Sequence, residues 1–223
     1  MEMTRRILSA AAVCFFFTIQ AAGLPRLQDI IEVENFIFLD VVDGDPLPLP
    51  VSEAKRYLAD EAQWLVRGAV YGFHFVYSPG DRKRNIPEEF ILEPKEGFVR
   101  STQFETPRFR DGDDRLWGYF AYRLEDYEVR RYQSWYSNIV AESQGTGKAR
   151  LILGPEGRID AHKDAVKEAL HAYFRTVSPN KPKRIEGETA IAAMPVCGID
   201  GGSYVSTLRV RIRTKDITAY DSY

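Results

Sequence analysis

The sequence predicts an α+β protein: a mostly antiparallel sheet with two or three helices packed on it. Several segments alternate apolar and polar residues with period two, while two others repeat apolar residues at helical spacing. Short turn sequences between consecutive strands imply hairpins, which favour antiparallel pairing. The chain has 223 residues, 44% hydrophobic and 28% charged, with a formal charge of −2. That composition suits a globular chain able to bury its own core, not a disordered tail. The near balance of 30 Lys and Arg against 32 Asp and Glu argues against a nucleic-acid partner, which selects for cationic excess.

Taken in order, the N-terminus reads as an export signal. Arg5-Arg6 precede an apolar run from Ile7 to Ile19, broken by Ser9 and Thr18, and then Gln20-Ala21-Ala22-Gly23. Two charges, a short apolar helix and small residues before the expected cleavage after Gly23 are what the translocase and signal peptidase require. The run is shorter than the about 20 apolar residues that span a bilayer. A twin-arginine route and lipidation at Cys14 are set aside, because paired Arg are common in general signals and Val13 stands where lipidation needs a small residue. The expectation is therefore a periplasmic or secreted protein. Residues 24–223 would form a single domain with no membrane span, and any lobe boundary would fall near 108–114. Loss of Glu2, Arg5 and Arg6 with the signal would leave a formal charge of −3. Cys197 would then be the sole cysteine, unable to close an internal disulfide and expected to serve as a buried small hydrophobe.

Asp29 to Val42 contains the nearly continuous apolar stretch Phe36-Ile37-Phe38-Leu39 and is expected to be a central strand. Asp43-Gly44-Asp45-Pro46 supplies a turn. Ser52 is the expected N-cap of a helix over 52–67 that Gly68 ends. Tyr71 to Tyr77 alternates as a strand. Short strands follow at 89–94 and 97–104, then a turn at 110–114 and a buried strand at 116–124. Residues 125–140 fit a helix. Gly145-Thr146-Gly147 reads as a flexible turn before a strand at 148–153, and 160–175 is the clearest helix. Strands at 184–193 and 203–214 flank a loop at 198–202. In the second of these Leu208, Val210 and Ile212 face the core, while Arg209, Arg211 and Arg213 face water or a partner.

No complete catalytic set is legible, and no cofactor or metal is expected. The three histidines are His74, His162 and His171. His162 and His171 lie on opposite sides of one helix and cannot share a metal. His74 sits between aromatic residues and is expected to be buried or half-buried. Gly201-Gly202-Ser203-Tyr204-Val205 supplies only one flank of a nucleophile elbow. Gly145-Thr146-Gly147-Lys148-Ala149 lacks the glycine and hydroxyl a phosphate loop needs, since Glu142 and Ala149 stand there. The acidic groups Asp40/Asp43/Asp45 and Asp111/Asp113/Asp114 match no calcium-loop spacing.

The composition is unusual in its aromatics, with 12 Tyr, 13 Phe and 3 Trp. Aromatic faces stack on sugars and anchor protein interfaces, so the candidate binding residues are Trp64, Trp117, Tyr119, Trp135 and Tyr136, with Arg209, Arg211 and Arg213 as a second face. The segments Tyr71-Gly72-Phe73, Tyr77-Ser78-Pro79-Gly80-Asp81, Pro87-Glu88-Glu89-Phe90 and Leu92-Glu93-Pro94 resemble exported proteins of unknown function from spirochaetes. The resemblance implies a periplasmic setting near the envelope or the periplasmic flagellar apparatus, and assigns no site residue. The leading expectation is a non-enzymatic interaction or structural protein of the cell envelope, with an envelope protein or glycan as partner. A binder of glycan, cell-wall fragment or lipid, and a carboxylate-dependent hydrolase, are the alternatives.

Overall fold

The computed structural model describes residues 29–39, 49–112, 114–137, 139–178 and 180–220. The expected export signal and the turn at 43–46 lie outside them. Among the described residues there are eight strands and three α-helices: β1 (Ile30–Phe38), α1 (Val51–Val70), β2 (Phe73–Ser78), β3 (Glu89–Pro94), β4 (Arg108–Asp111), β5 (Arg115–Arg123), α2 (Asp126–Ser134), β6 (Ala141–Arg150), α3 (Glu156–Val177), β7 (Arg184–Asp200) and β8 (Ser203–Thr218). The strands form two sheets, β1-β5-β4 and β3-β2-β7-β8-β6. All their pairings are antiparallel, so the fold is α+β as expected.

Each sheet carries one long helix. Leu58, Ala62, Leu65 and Val66 of α1 pack on Ile31, Val33, Leu116 and Phe120 of the small sheet. Ala165, Ala169, Leu170 and Phe174 of α3 pack on Phe75, Tyr77, Leu208 and Val210 of the large one. The helical and period-two repeats in the sequence thus meet face to face.

Several expectations need correction. β1 is an edge strand, not a central one. Its apolar run reports coverage of both faces near Phe36 and Ile37, which are buried, and faces can be covered without a second hydrogen-bonded neighbour. Helix α1 begins after Pro50, with no side-chain cap from Ser52, and continues past Gly68 to Val70. Gly68 is there for packing, because a Cβ would strike Phe73 and Ile191. Residues 97–104 hold a 3₁₀ turn at Ser101–Gln103 and a single bridge from Phe104 to Tyr122, not a strand. Helix α2 is shorter than 125–140, but Glu125 and Glu128 close a capping box at its start.

The largest revision concerns Gly145 and Gly147, which lie inside β6. A Cβ at Gly147 would overlap backbone atoms of Ala161 and Ala165, and one at Gly145 those of Ala165 and Ala169. Here glycine serves close helix–strand approach, not flexibility. Leu151–Leu153, expected as strand, forms a 3₁₀ turn. The loop at 198–202 contracts to Gly201 and Gly202, whose φ values of 56° and 71° give the two-residue turn that matches strand twist.

Candidate functional site

Where the two cores meet, the structure buries a polar cluster. Helix α1 contributes Glu61; α3 contributes Arg158 and His162, four residues apart and hence on one helix face. Cys197 and Ser206 are register partners on β7 and β8, and Asn35 comes from β1. Arg158 donates from Nε and Nη2 to the two Glu61 oxygens at 2.9 and 3.0 Å. Asn35 Nδ2 donates to Glu61 at 3.2 Å and to the Leu58 carbonyl at 2.9 Å. His162 Nε2 lies 2.9 Å from Glu61 Oε1, and its Nδ1 lies 2.7 Å from Ser206 Oγ. A carboxylate only accepts, so Nε2 carries a proton, and in the neutral ring Nδ1 accepts from Ser206. Trp64 stacks on the imidazole at 5.7 Å, and Phe36 lies 4.4 Å from the Arg158 guanidinium.

Burial by itself would raise the Glu61 carboxyl, but the Arg158 charge and the His162 hydrogen bond more than offset it and hold the group at about 2. Burial pushes the Cys197 thiol up to about 11 despite Arg158 nearby.

The order hydroxyl, imidazole, carboxylate is that of a nucleophile and its base. Its surroundings are those of a structural tie: Ser206 and His162 are 1% and 0% exposed, and Glu61 is neutralised by Arg158. The crevice beside Cys197, Tyr204 and Ser206 is too narrow for a water molecule. Donor atoms of Glu61, His162 and Cys197 lie within 4.8 Å of one another. A cation there would have to displace Arg158 from a carboxylate that already accepts four hydrogen bonds.

The accessible candidate is a groove of about 910 Å³ over the face of the small sheet turned away from α1. Tyr119 forms part of its floor, with Glu32, Glu34, Glu105 and Arg108 around it and Met194-Pro195 of β7 along one side. Strand register builds this surface in rows. Glu34, Tyr119 and Arg108 align across three strands, as do Phe36, Trp117 and Arg110. Arg108 and Arg110 lie 5.9 and 5.7 Å from the rings of Tyr119 and Trp117.

The residues singled out from sequence fall into three places. Trp64 is half-buried against His162. Trp117 and Tyr119 share the small sheet's outer face. Trp135, Tyr136, Arg211 and Arg213 meet on the large sheet's face opposite α3, where Arg213 lies 4.2 Å from the Trp135 ring and Arg211 4.8 Å from that of Tyr136. Arg213 also donates to the Ser134 carbonyl, and Arg211 pairs with Glu142 at 2.6 Å. Trp135 is 2% exposed. These contacts clamp the end of α2 onto the sheet. Arg209 is exposed, 3.4 Å from Glu142. Cys197 is half-buried, and His74 is exposed on the outer face, its Nδ1 3.9 Å from Glu188. The sequence reading missed Glu61, Arg158 and Ser206. The available signal was Glu61 itself, a carboxylate inside the apolar stripe of Leu58, Ala62 and Leu65.

The molecule is thus an α+β protein with a buried ionic tie and an open aromatic groove. It belongs to the family whose model matches residues 26–220, and a spirochaete relative bears out the spirochaete resemblance. An uncharacterised protein of Treponema pallidum (strain Nichols) is 25% identical over 175 residues, 78% of this chain and 74% of that relative. No solved structure matches. Among the described residues no helix is long and apolar enough to cross a membrane.

Proposed function

We propose that the protein is exported to the periplasm and acts there as a non-enzymatic binding protein of the cell envelope, with the groove on the small sheet as its binding surface. The observation that supports this reading is the groove itself. It combines an aromatic floor at Tyr119 with charged side chains able to form directional hydrogen bonds around it, an arrangement suited to recognition. Export rests on Arg5 to Gly23. The test has two parts. The native protein should begin at Leu24 and fractionate with the periplasm. Immobilised protein should retain an envelope component that a Tyr119→Ala/Arg108→Ala variant releases. A native chain beginning at Met1 in the cytosol, or capture indifferent to the double variant, overturns it.

A second reading, a glycan or cell-wall fragment as occupant, is favoured by the neighbouring outward rings of Trp117 and Tyr119, since sugar rings stack on aromatic faces. Co-sedimentation with purified sacculi, lost in Tyr119→Ala, supports that reading over a protein partner.

A further inference from the structure

A second groove, of about 340 Å³, lies at the far end of α3 and shares no lining residue with the one on the small sheet. Its lining is Tyr77 and Pro79 at the end of β2, His171, Phe174 and Arg175 on the last turns of α3, and Ser178, Lys181 and Pro182 beyond. Every ionisable lining side chain apart from Tyr77 is basic. Three such groups converge from two segments, a helix and the loop after it, onto walls otherwise made of Tyr77, Phe174, Ser178 and the two prolines.

The nearby carboxylates are already engaged. Glu88 accepts from the Tyr77 hydroxyl at 2.8 Å and lies 3.5 Å from Lys167. Glu168 lies 3.6 Å from Lys167 and 3.9 Å from His171 Nδ1. Among the described residues no carboxylate pairs with Arg175 or Lys181. Lys181 donates to the Gly80 carbonyl, which fixes its ammonium at the rim and leaves it two further N–H donors. Arg175 complements the carbonyl end of α3. That end carries about half a negative charge, less than the groove's own Arg and Lys together.

We propose that this groove binds an organic phosphate, with the phosphoryl oxygens on Arg175 and Lys181, His171 beside them, and a ring or apolar portion against Tyr77 and Phe174. A guanidinium presents two parallel N–H donors to phosphate oxygens and an ammonium adds a point charge, so a multiply charged oxyanion uses both better than a carboxylate does. The volume exceeds what a bare phosphate fills, which gives the apolar walls an occupant.

The test is titration of the purified protein with phenyl phosphate, inorganic phosphate and benzoate, followed by calorimetry and by the NMR signals of His171 and Phe174. Phenyl phosphate should bind saturably and about tenfold more tightly than either inorganic phosphate, which lacks the ring, or benzoate, which lacks the phosphoryl group. Arg175→Gln/Lys181→Gln should weaken it at least about tenfold. Arg175→Lys, which keeps the charge but loses the paired donors, should weaken binding less than the double variant does, and Lys163→Ala, on an exposed part of α3, should leave it unchanged. Binding to vesicles containing phosphatidic acid but not to phosphatidylcholine alone supports a lipid headgroup as the source. Binding of the soluble ester without the vesicles supports a free phosphoester. The proposal is overturned by three results: no saturable binding of phenyl phosphate, binding unchanged in the double variant, or benzoate binding as tightly as phenyl phosphate.

Discussion

Arg158 on α3 forks the carboxylate of Glu61 on α1, 97 residues away in sequence, and joins the two helix-and-sheet cores through a buried ion pair. Breaking such a pair by removing one partner leaves the other charge buried without compensation, at a cost of about 3–5 kcal/mol. Arg158→Met should therefore destabilise the protein by that order in urea denaturation. The double variant Glu61→Leu/Arg158→Met should lose much less than the sum of its two single variants. Additive losses would show that the two residues do not act as a pair.

The same carboxylate sets an acid limit. Its folded value of about 2 lies below the ordinary value of 4.5. Its contribution is therefore complete above about pH 4.5 and is lost as pH falls from there towards 2. The shift corresponds to about 3 kcal/mol. Unfolding free energy measured from pH 6 to pH 2.5 should fall steeply below pH 4.5, and Glu61→Gln should flatten that fall. An unchanged slope in the variant would contradict the assignment.

Gly147 should tolerate no side chain. Gly147→Ala drives a methyl into the backbone of α3, which no rotamer change relieves, and should cost about 2 kcal/mol or more. Gly198→Ala, where nothing lies within 4 Å, should be neutral. Equal melting temperatures for the two variants would remove the packing explanation.

Arg213 and Trp135 should behave as a structural clamp. Trp135→Ala removes a buried ring and should cost about 3–5 kcal/mol; Arg213→Ala should cost about 1–2 kcal/mol through the lost ring contact and the lost bond to Ser134. If both variants keep wild-type stability while losing a binding partner, the face is a docking surface after all.

How legible was this molecule? The helices α1 and α3 stood out because their apolar stripes run for four turns or more, and β8 because its Arg residues alternate cleanly with Leu208, Val210 and Ile212. Strand β6 was hidden: its inward positions Gly145 and Gly147 are glycine so that α3 can come close, and glycine otherwise signals a turn. The edge position of β1 was hidden because burial of faces and hydrogen-bond neighbours are separate properties. The aromatic residues were visible, but not their partition into core, clamp and open face, which depends on strand register. The buried cluster required a contact between α1 and α3 that no local spacing encodes. Only the out-of-place Glu61 hinted at it.

The most direct test of the proposed role is photo-crosslinking in living cells from a probe placed at Thr106, on the wall of the small-sheet groove, with Lys163 on α3 as the control position. The account predicts a discrete adduct to an envelope component from Thr106 alone. Adducts to cytosolic proteins, equal yields from both positions, or none from Thr106 would contradict it.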